Sequence, residues 1–216
     1  MRIGVLGTGP VGQAIGTRLI EVGHEVTMGA RDAANPKAAA WADEHGGRAG
    51  SFADAVTGAE LVVNATAATG SLPAFGAAGG NAALAGTVVL DVSNPIDWST
   101  GELRLTVPDN DSIGERLQRA LPDAMVVKSL NTVNASVMVH PELVPGHHTM
   151  FVSGDHATAK ETVVGLLRSF GWPADDIVDL GGITAARGQE HYIVLWVALM
   201  QVGGGNLAVN VNVVRG

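Results

Sequence analysis

Apolar residues along this chain fall in short runs separated by segments of helical period. Arg2–Leu6 (RIGVL) reads as a strand, a glycine turn follows, and residues 10–22 carry apolar side chains at helical spacing until Gly23 stops them. Glu25–Ala30 reads as a second strand, so the chain opens with a βαβ unit. Apolar runs at residues 61–65, 87–92, 125–130 and 149–153 each end near Gly, Asn, Asp or Ser, as buried strands do. Residues 157–171 place Val163, Leu166, Leu167 and Phe170 at helical spacing, with Gly171-Trp172-Pro173 as the stop; a strand at 177–180 and a helix at 185–202 follow. Strands alternating with helices predict an α/β protein on a doubly wound, mostly parallel sheet. AATGSLPAFGAAGGNAALAG lies between two strands and reads as a loose crossover.

The end of the chain behaves differently. The second half of the last helix is apolar nearly all round, which requires cover on more than one side. In the tail NLAVNVNVV, Leu207, Val209, Val211 and Val213 alternate with Ala208, Asn210 and Asn212, the period of a half-buried strand on this subunit's sheet or a neighbour's. Both features predict a homodimer.

Composition narrows the functional classes. With 216 residues, 46% of them hydrophobic, the chain can bury a substantial core. A net charge of −8 with scattered basic residues argues against a nucleic-acid partner, which needs clustered cations. The absence of cysteine removes disulfides, thiolate metal sites and cysteine nucleophiles, and fits a cytoplasmic protein. A strand beginning at Arg2 leaves no room for a signal peptide, and the apolar run YIVLWVALM is well short of the roughly 18 residues of a membrane span. No membrane partner is expected.

Chemistry concentrates at the first turn. GTGPVG sets Gly7, Gly9 and Gly12 as G-x-G-x-x-G directly after a strand and at the start of a helix. Gly7 allows the tight turn, Gly9 lets the backbone approach a pyrophosphate, and Gly12 lets helix and strand pack closely, while the helix N-terminus offers free N–H groups to the anion. The fold expected is therefore Rossmann-like. NAD-type sites place an acid at the tip of the second strand; here the tip is Gly29-Ala30-Arg31, where two small residues leave room and a guanidinium can clamp a 2′-phosphate. NADP(H) is favoured, with Lys37 as a second phosphate partner and Asp32 directed elsewhere, toward the cap of the next helix.

Ligands on open parallel sheets lie beyond the carboxyl ends of the strands, which nominates Thr8, Arg31, Ala65-Thr66, Asn94-Pro95 and Asn131-Thr132. No residue in this set is an obligatory acid or base, and hydride transfer requires none. Asn131, Thr132, Asn94 and Ser93 are candidates for positioning an acceptor ring, with Asn131, and likewise Thr132 or Ser93, able to hydrogen-bond a ring carbonyl; the asparagines equally suit turns at strand ends. Lys128 within the apolar MVVKSL needs an acidic partner. Arg187 and Glu190 are at i, i+3 spacing and read as an intrahelical pair. His147-His148 read as a surface loop rather than a metal site, because adjacent histidines do not easily share one tetrahedral ion. Trp98 suits either a wall of the acceptor pocket or a partly buried loop.

The segments GTGPVG, GARD, DVSNPIDW, VVKSLNTVNASVMVHP, FGWP and DLGGITAARGQE, in this order, resemble the F420-dependent NADP oxidoreductase family over nearly the whole chain. The resemblance implies an NADP(H)-binding Rossmann domain at residues 1–145, a small C-terminal lobe with a dimerisation segment at 146–216, and hydride exchange with the deazaflavin coenzyme F420 in the cleft. It also implies that Thr8, Gly9, Pro10 and Val11 contact the pyrophosphate, Arg31 the 2′-phosphate, and Ala135 the nicotinamide. Archaeal members carry a histidine where this chain has Asn131. The Lys-x-x-Asn pattern also resembles the cytoplasmic reductase domain of the STEAP metalloreductases, which pass hydride to a flavin, so FMN or FAD stands as the alternative acceptor. A third reading is an NADP(H)-binding sensor without turnover.

Overall fold

The computed structural model describes residues 1–214. Its first half runs β1 (Arg2–Leu6), α1 (Pro10–Glu21), β2 (Glu25–Ala30), α2 (Pro36–His45), β3 (Arg48–Ser51), α3 (Phe52–Val56), β4 (Leu61–Asn64), α4 (Ala68–Ala77), α5 (Gly80–Leu84) and β5 (Val88–Asp91). A two-stranded hairpin of β6 (Ile96–Asp97) and β7 (Arg104–Leu105) leads to α6 (Ile113–Ala120), β8 (Met125–Ser129), α7 (Ala135–Val139), β9 (Met150–Ser153), α8 (Ala157–Phe170), β10 (Ile177–Asp179) and α9 (Ala186–Val202).

Eight strands form one sheet in the order β10-β9-β8-β5-β4-β1-β2-β3. Every neighbouring pair is parallel except β8 with β9. The order reverses at β1, with β2 and β3 on one side and β4, β5 and β8 on the other, and such a switch point opens a crevice at the strand ends. β9 and β10 continue the same sheet in the opposite direction. The strand runs were apolar throughout because helices cover both faces. Leu61, Val63, Val88, Leu90 and Val127 enter the core shared with α1 and α8, whereas the intervening Val62, Val89 and Val126 enter the core beneath α4 and α6.

A third, smaller core packs Ile193, Trp196 and Val197 of α9 against Ile96 and Leu105 of the hairpin and Val209 of the tail. This cluster sits the hairpin on α9 and builds a wall that periodicity along the chain does not reveal.

Three local expectations change. The Gly/Ala-rich crossover is helical, forming α4 and α5, because Ala74, Phe75 and Leu84 find buried positions and Asn81 and Asp123 exchange hydrogen bonds that pin α5. The tail is not a strand. It lies beside the start of β9 in its own chain, where the Thr149 N–H donates to the Val211 carbonyl at 2.8 Å and the Asn210 amide donates to the Thr149 carbonyl at 2.9 Å. Asparagine side chains thus take over bonds that a ladder would have made. Asp32 does not cap α2: its carboxylate accepts the Ala34 N–H, and Asn35 caps the helix through the N–H groups of Lys37 and Ala38.

Candidate active site

The carboxyl ends of β1, β4, β5 and β8 open into a cleft of about 460 Å³. One wall is the glycine turn, Gly9-Pro10-Val11, and the floor is Ala65-Thr66 and Ser93-Asn94. The opposite wall is apolar, made by Ile96, Met138, Ile193 and Trp196. Among the described residues the lining includes no charged side chain.

The turn is built by its glycines. Gly7 has φ +123°, and a Cβ there would also lie 2.5 Å from the Ala65 carbonyl oxygen. A Cβ on Gly12 would overlap the Gly7 carbonyl, so its absence lets α1 start against the strand. A Cβ on Gly9 would meet no protein atom within 4 Å, so the side of the turn facing the cleft is open space. Gly9 caps α1 without a side-chain bond, and Pro10 follows, leaving the first-turn N–H groups for an anion. These features fit the pyrophosphate of a dinucleotide.

Of the nominated residues, Gly9, Pro10, Val11, Ala65, Thr66, Asn94 and Ala135 line the cleft, as does Ser93. Gly7, Thr8 and Gly12 shape the turn behind it. Arg31 and Lys37 are exposed beyond the end of β2 and form no ion pair among the described residues. The smallness of Gly29 serves packing rather than ligand space, since a Cβ there would stand 2.8 Å from Ala55 of α3. Trp98 is half exposed in the hairpin and lies off the cleft.

Asn131 and Thr132 lie behind the cleft lining and are almost wholly buried. The Asn131 side-chain amide donates to Asn94 Oδ1 at 2.9 Å and to the Gln189 carbonyl at 3.0 Å, while the Asn131 backbone carbonyl accepts from the Asn94 amide at 2.7 Å. Asn131 therefore holds Asn94, and neither of its N–H groups remains to bind an acceptor ring, contrary to the expectation from sequence. Asn131 Oδ1 and Thr132 Oγ1 are buried without a partner. The residue before them, Leu130, is fully buried with φ +63°, a left-handed conformation that costs a non-glycine residue about 1 kcal/mol. It turns the chain sharply out of β8 into this segment, the kind of strain that collects at functional sites.

Beneath the floor runs a fully buried polar network. Lys128 Nζ lies 2.9 Å from Asp91 Oδ2 and 2.8 Å from Glu190 Oε1, and it also donates to the Ser93 carbonyl. Burial alone would push the ammonium toward its neutral form; the two carboxylates overcome this and raise its pKa above the ordinary lysine value. Asp91 Oδ1 accepts from Asn64 Nδ2 at 2.8 Å, from Ser93 Oγ at 2.8 Å and from the Ser93 N–H at 3.1 Å. Glu190 accepts the N–H groups of Ile113 and Gly114, so the N-terminus of α6 answers the second negative charge. Lys128 has the acidic partner its position required.

The expected pairing of Arg187 with Glu190 is replaced. Glu190 turns inward to Lys128, and Arg187 makes a two-pronged pair with Glu115 at 2.6 and 2.9 Å. The Arg187 hydrogen bonds hold the Glu115 carboxyl below its usual range. Of the two histidines, His147 is exposed beside Asp176, but His148 is buried, stacked edge-on against Trp172 and bonded to the Pro141 carbonyl. The described residues hold no metal-ligand cluster, and no helix among them is long and apolar enough to cross a membrane.

Fold and cleft together define a dinucleotide-binding α/β protein. Residues 2–95 match the family model described as NADP oxidoreductase, coenzyme F420-dependent. A crystal structure from Arthrobacter sp. FB24, provisionally named an F420-dependent NADP-reductase, is 44% identical, each chain covering all of the other, with a TM-score of 0.92. The metalloreductase STEAP3 of Rattus norvegicus is 28% identical over 190 residues, 88% of this chain and 36% of its own length; STEAP2 of Homo sapiens is 25% identical over 88% of this chain and 35% of its own. The chain thus spans about a third of those curated relatives. A reductive aminase from Aspergillus terreus solved with NADPH, 18% identical over 94% of this chain and 62% of its own with a TM-score of 0.67, shares the fold. The chain belongs to the F420-dependent NADP oxidoreductase family.

The buried triad generates a prediction. Lys128→Met leaves two facing carboxylates without a counter-charge and is expected to lower stability by about 3–5 kcal/mol near neutral pH. The wild-type contribution is present in full below the ordinary lysine pKa and is lost only as pH climbs through the raised folded value. In the variant, by contrast, one carboxylate takes up a proton on acidification. Urea unfolding should show a smaller loss at pH 5.5 than at pH 7.5; equal losses would assign the effect to packing instead.

Proposed function

We propose that the chain exchanges a hydride between NADP(H) and a deazaflavin of the coenzyme F420 type. The observation that carries this reading is the character of the cleft: a glycine turn for the pyrophosphate on one wall, apolar side chains on the other, and no charged or acid–base side chain on the described lining. A nicotinamide and a deazaflavin supply the hydride donor and its carbon acceptor when bound, and such a pair needs close stacking and exclusion of water more than proton transfer from protein. The N–H groups at the start of α1 hold the pyrophosphate, Arg31 and Lys37 take the 2′-phosphate, and Ala135 leaves space for a flat ring. Ile96, Met138, Ile193 and Trp196 keep water from the acceptor side. In this reading residues 1–145 carry the nucleotide and contribute Ile96 and Met138 to the far wall, which the segment from 146 onward completes with Ile193 and Trp196.

One observation favours a flavin instead. The chain matches two metalloreductases, each over 88% of its length. Stopped-flow mixing with NADPH and equal concentrations of F420 or FMN decides between them. F420 is expected to be reduced at least about tenfold faster; faster FMN reduction would favour the flavin, and turnover of neither would favour a sensor.

Arg31 gives a separate test of the nucleotide. Arg31→Ala is expected to weaken NADPH binding by about 1.5–3 kcal/mol, the range for a hydrogen bond to a charged group, and to leave NADH almost unchanged. Equal losses in a titration of both would return Arg31 to the solvated surface.

The outer face of α9 supports a homodimer, since Val194 and Leu195 are half exposed and Val202 is 90% exposed. Sedimentation at micromolar concentration is expected to give a dimer, and a monomer would remove that reading.

A further inference from the structure

Ser93 sits in the cleft lining with its hydrogen-bonding capacity already divided. Its N–H and its hydroxyl proton both go to Asp91 Oδ1, and its carbonyl accepts from Lys128 Nζ. Asp91 is the fully buried, ion-paired carboxylate of the triad, so the Oγ–H···O bond is charge-assisted and outcompetes any neutral carbonyl offered from the cleft. Three bonds to one ion pair fix the residue at its N–H, its carbonyl and its hydroxyl. What Oγ can still offer a ligand in the cleft is a lone pair, so it serves as an acceptor only. The sequence suggested Ser93 as a donor to a ring carbonyl, and the hydrogen-bond directions reverse that role.

An acceptor at this point selects a ligand N–H. The strand order puts β5 two places from β1, about 10 Å across the sheet from the pyrophosphate turn and on the side away from Arg31. A dinucleotide with its 2′-phosphate at Arg31 and its pyrophosphate at Gly9 brings its nicotinamide end there. We propose that Ser93 reads the carboxamide of the nicotinamide by accepting one of its N–H groups, with Asp91 and Lys128 as positioning residues that keep the serine proton turned inward. Thr66, on the neighbouring strand end, is arranged alike: its hydroxyl donates to Asn64 Oδ1 at 2.7 Å, and Asn64 is itself oriented by Asp91. The carboxylate therefore sets proton directions at two points of the floor.

The inference rests on the nucleotide reading, and its test separates the two. NADP⁺ and its 3-acetylpyridine analogue, in which a methyl group replaces the carboxamide NH₂ and the carbonyl is kept, are titrated into wild type and Ser93→Ala. Wild type is expected to bind the analogue roughly five- to tenfold more weakly, the effect of one lost hydrogen bond. In Ser93→Ala the two ligands should bind equally, because the partner of the missing N–H is gone. A purely structural role for Ser93 would weaken both ligands together and preserve their ratio, which would overturn the assignment. Equal binding of both ligands to wild type would overturn it without use of the variant. Failure of wild type to bind NADP⁺ would overturn the nucleotide reading and this assignment with it.

Discussion

One lysine holds the working end of this molecule together. Lys128 lies in the middle of the sheet, fully buried, and bridges a carboxylate from β5 and another from α9. A lysine so placed would be strongly destabilising without its partners, so the pair of acids is a condition for the strand to be buried at all. The condition propagates. Glu190 can reach Lys128 only if α9 lies across the strand ends, and its remaining valences then hold the first turn of α6. Asp91, satisfied on one oxygen by the lysine, gathers Asn64 and Ser93 on the other. A single buried cation thereby fixes the relation of β4, β5, β8, α6 and α9, the elements that frame the cleft.

The cleft inherits its chemistry from this arrangement. Charges lie beneath the floor, compensated by one another and by a helix end, while among the described residues the surface a ligand would meet carries only backbone, hydroxyl, amide and apolar groups. Buried dipoles of fixed direction need little reorganisation when a ligand arrives, and an uncharged surface suits the proposed hydride transfer. The apolar wall depends on the same frame, because Trp196 and Ile193 ride on the helix that Glu190 anchors. Trp196 is further fixed by its indole N–H to the Val209 carbonyl, which ties the tail to the wall.

How far the sequence exposes this depends on the range of the interactions. β1 and β2 were legible to the residue, and the glycine turn with them, since turn, strand and helix signals lie within thirty residues. β3 was not: RAGS is a four-residue edge strand without an apolar pattern, held by its partner β2. The hairpin β6–β7 has two-residue strands and exists because α9 covers it. The near wall of the site was therefore readable and the far wall was not, as Ile96, Met138, Ile193 and Trp196 come from segments up to a hundred residues apart. The need of Lys128 for an acid was readable from its apolar neighbours, but the choice of Glu190 was not. Helical spacing offered Glu190 a local arginine, and a buried ammonium with two backbone N–H groups outweighs that exposed pair.

The role of Asn131 follows from the same frame. A primary amide has two N–H groups, and here one goes to Asn94 of the β5 end and the other to the Gln189 carbonyl on α9. A neutral imidazole has one N–H to give and could not serve both. Asparagine at this position thus belongs to a lattice that locks β5, β8 and α9, with Gln189 continuing it to Ser153 on β9. A histidine at this position would require a different fastening of α9. Under the proposed hydride transfer, position 131 acts on the acceptor side through the apolar wall that α9 presents, by holding the helix, rather than through a polar contact of its own.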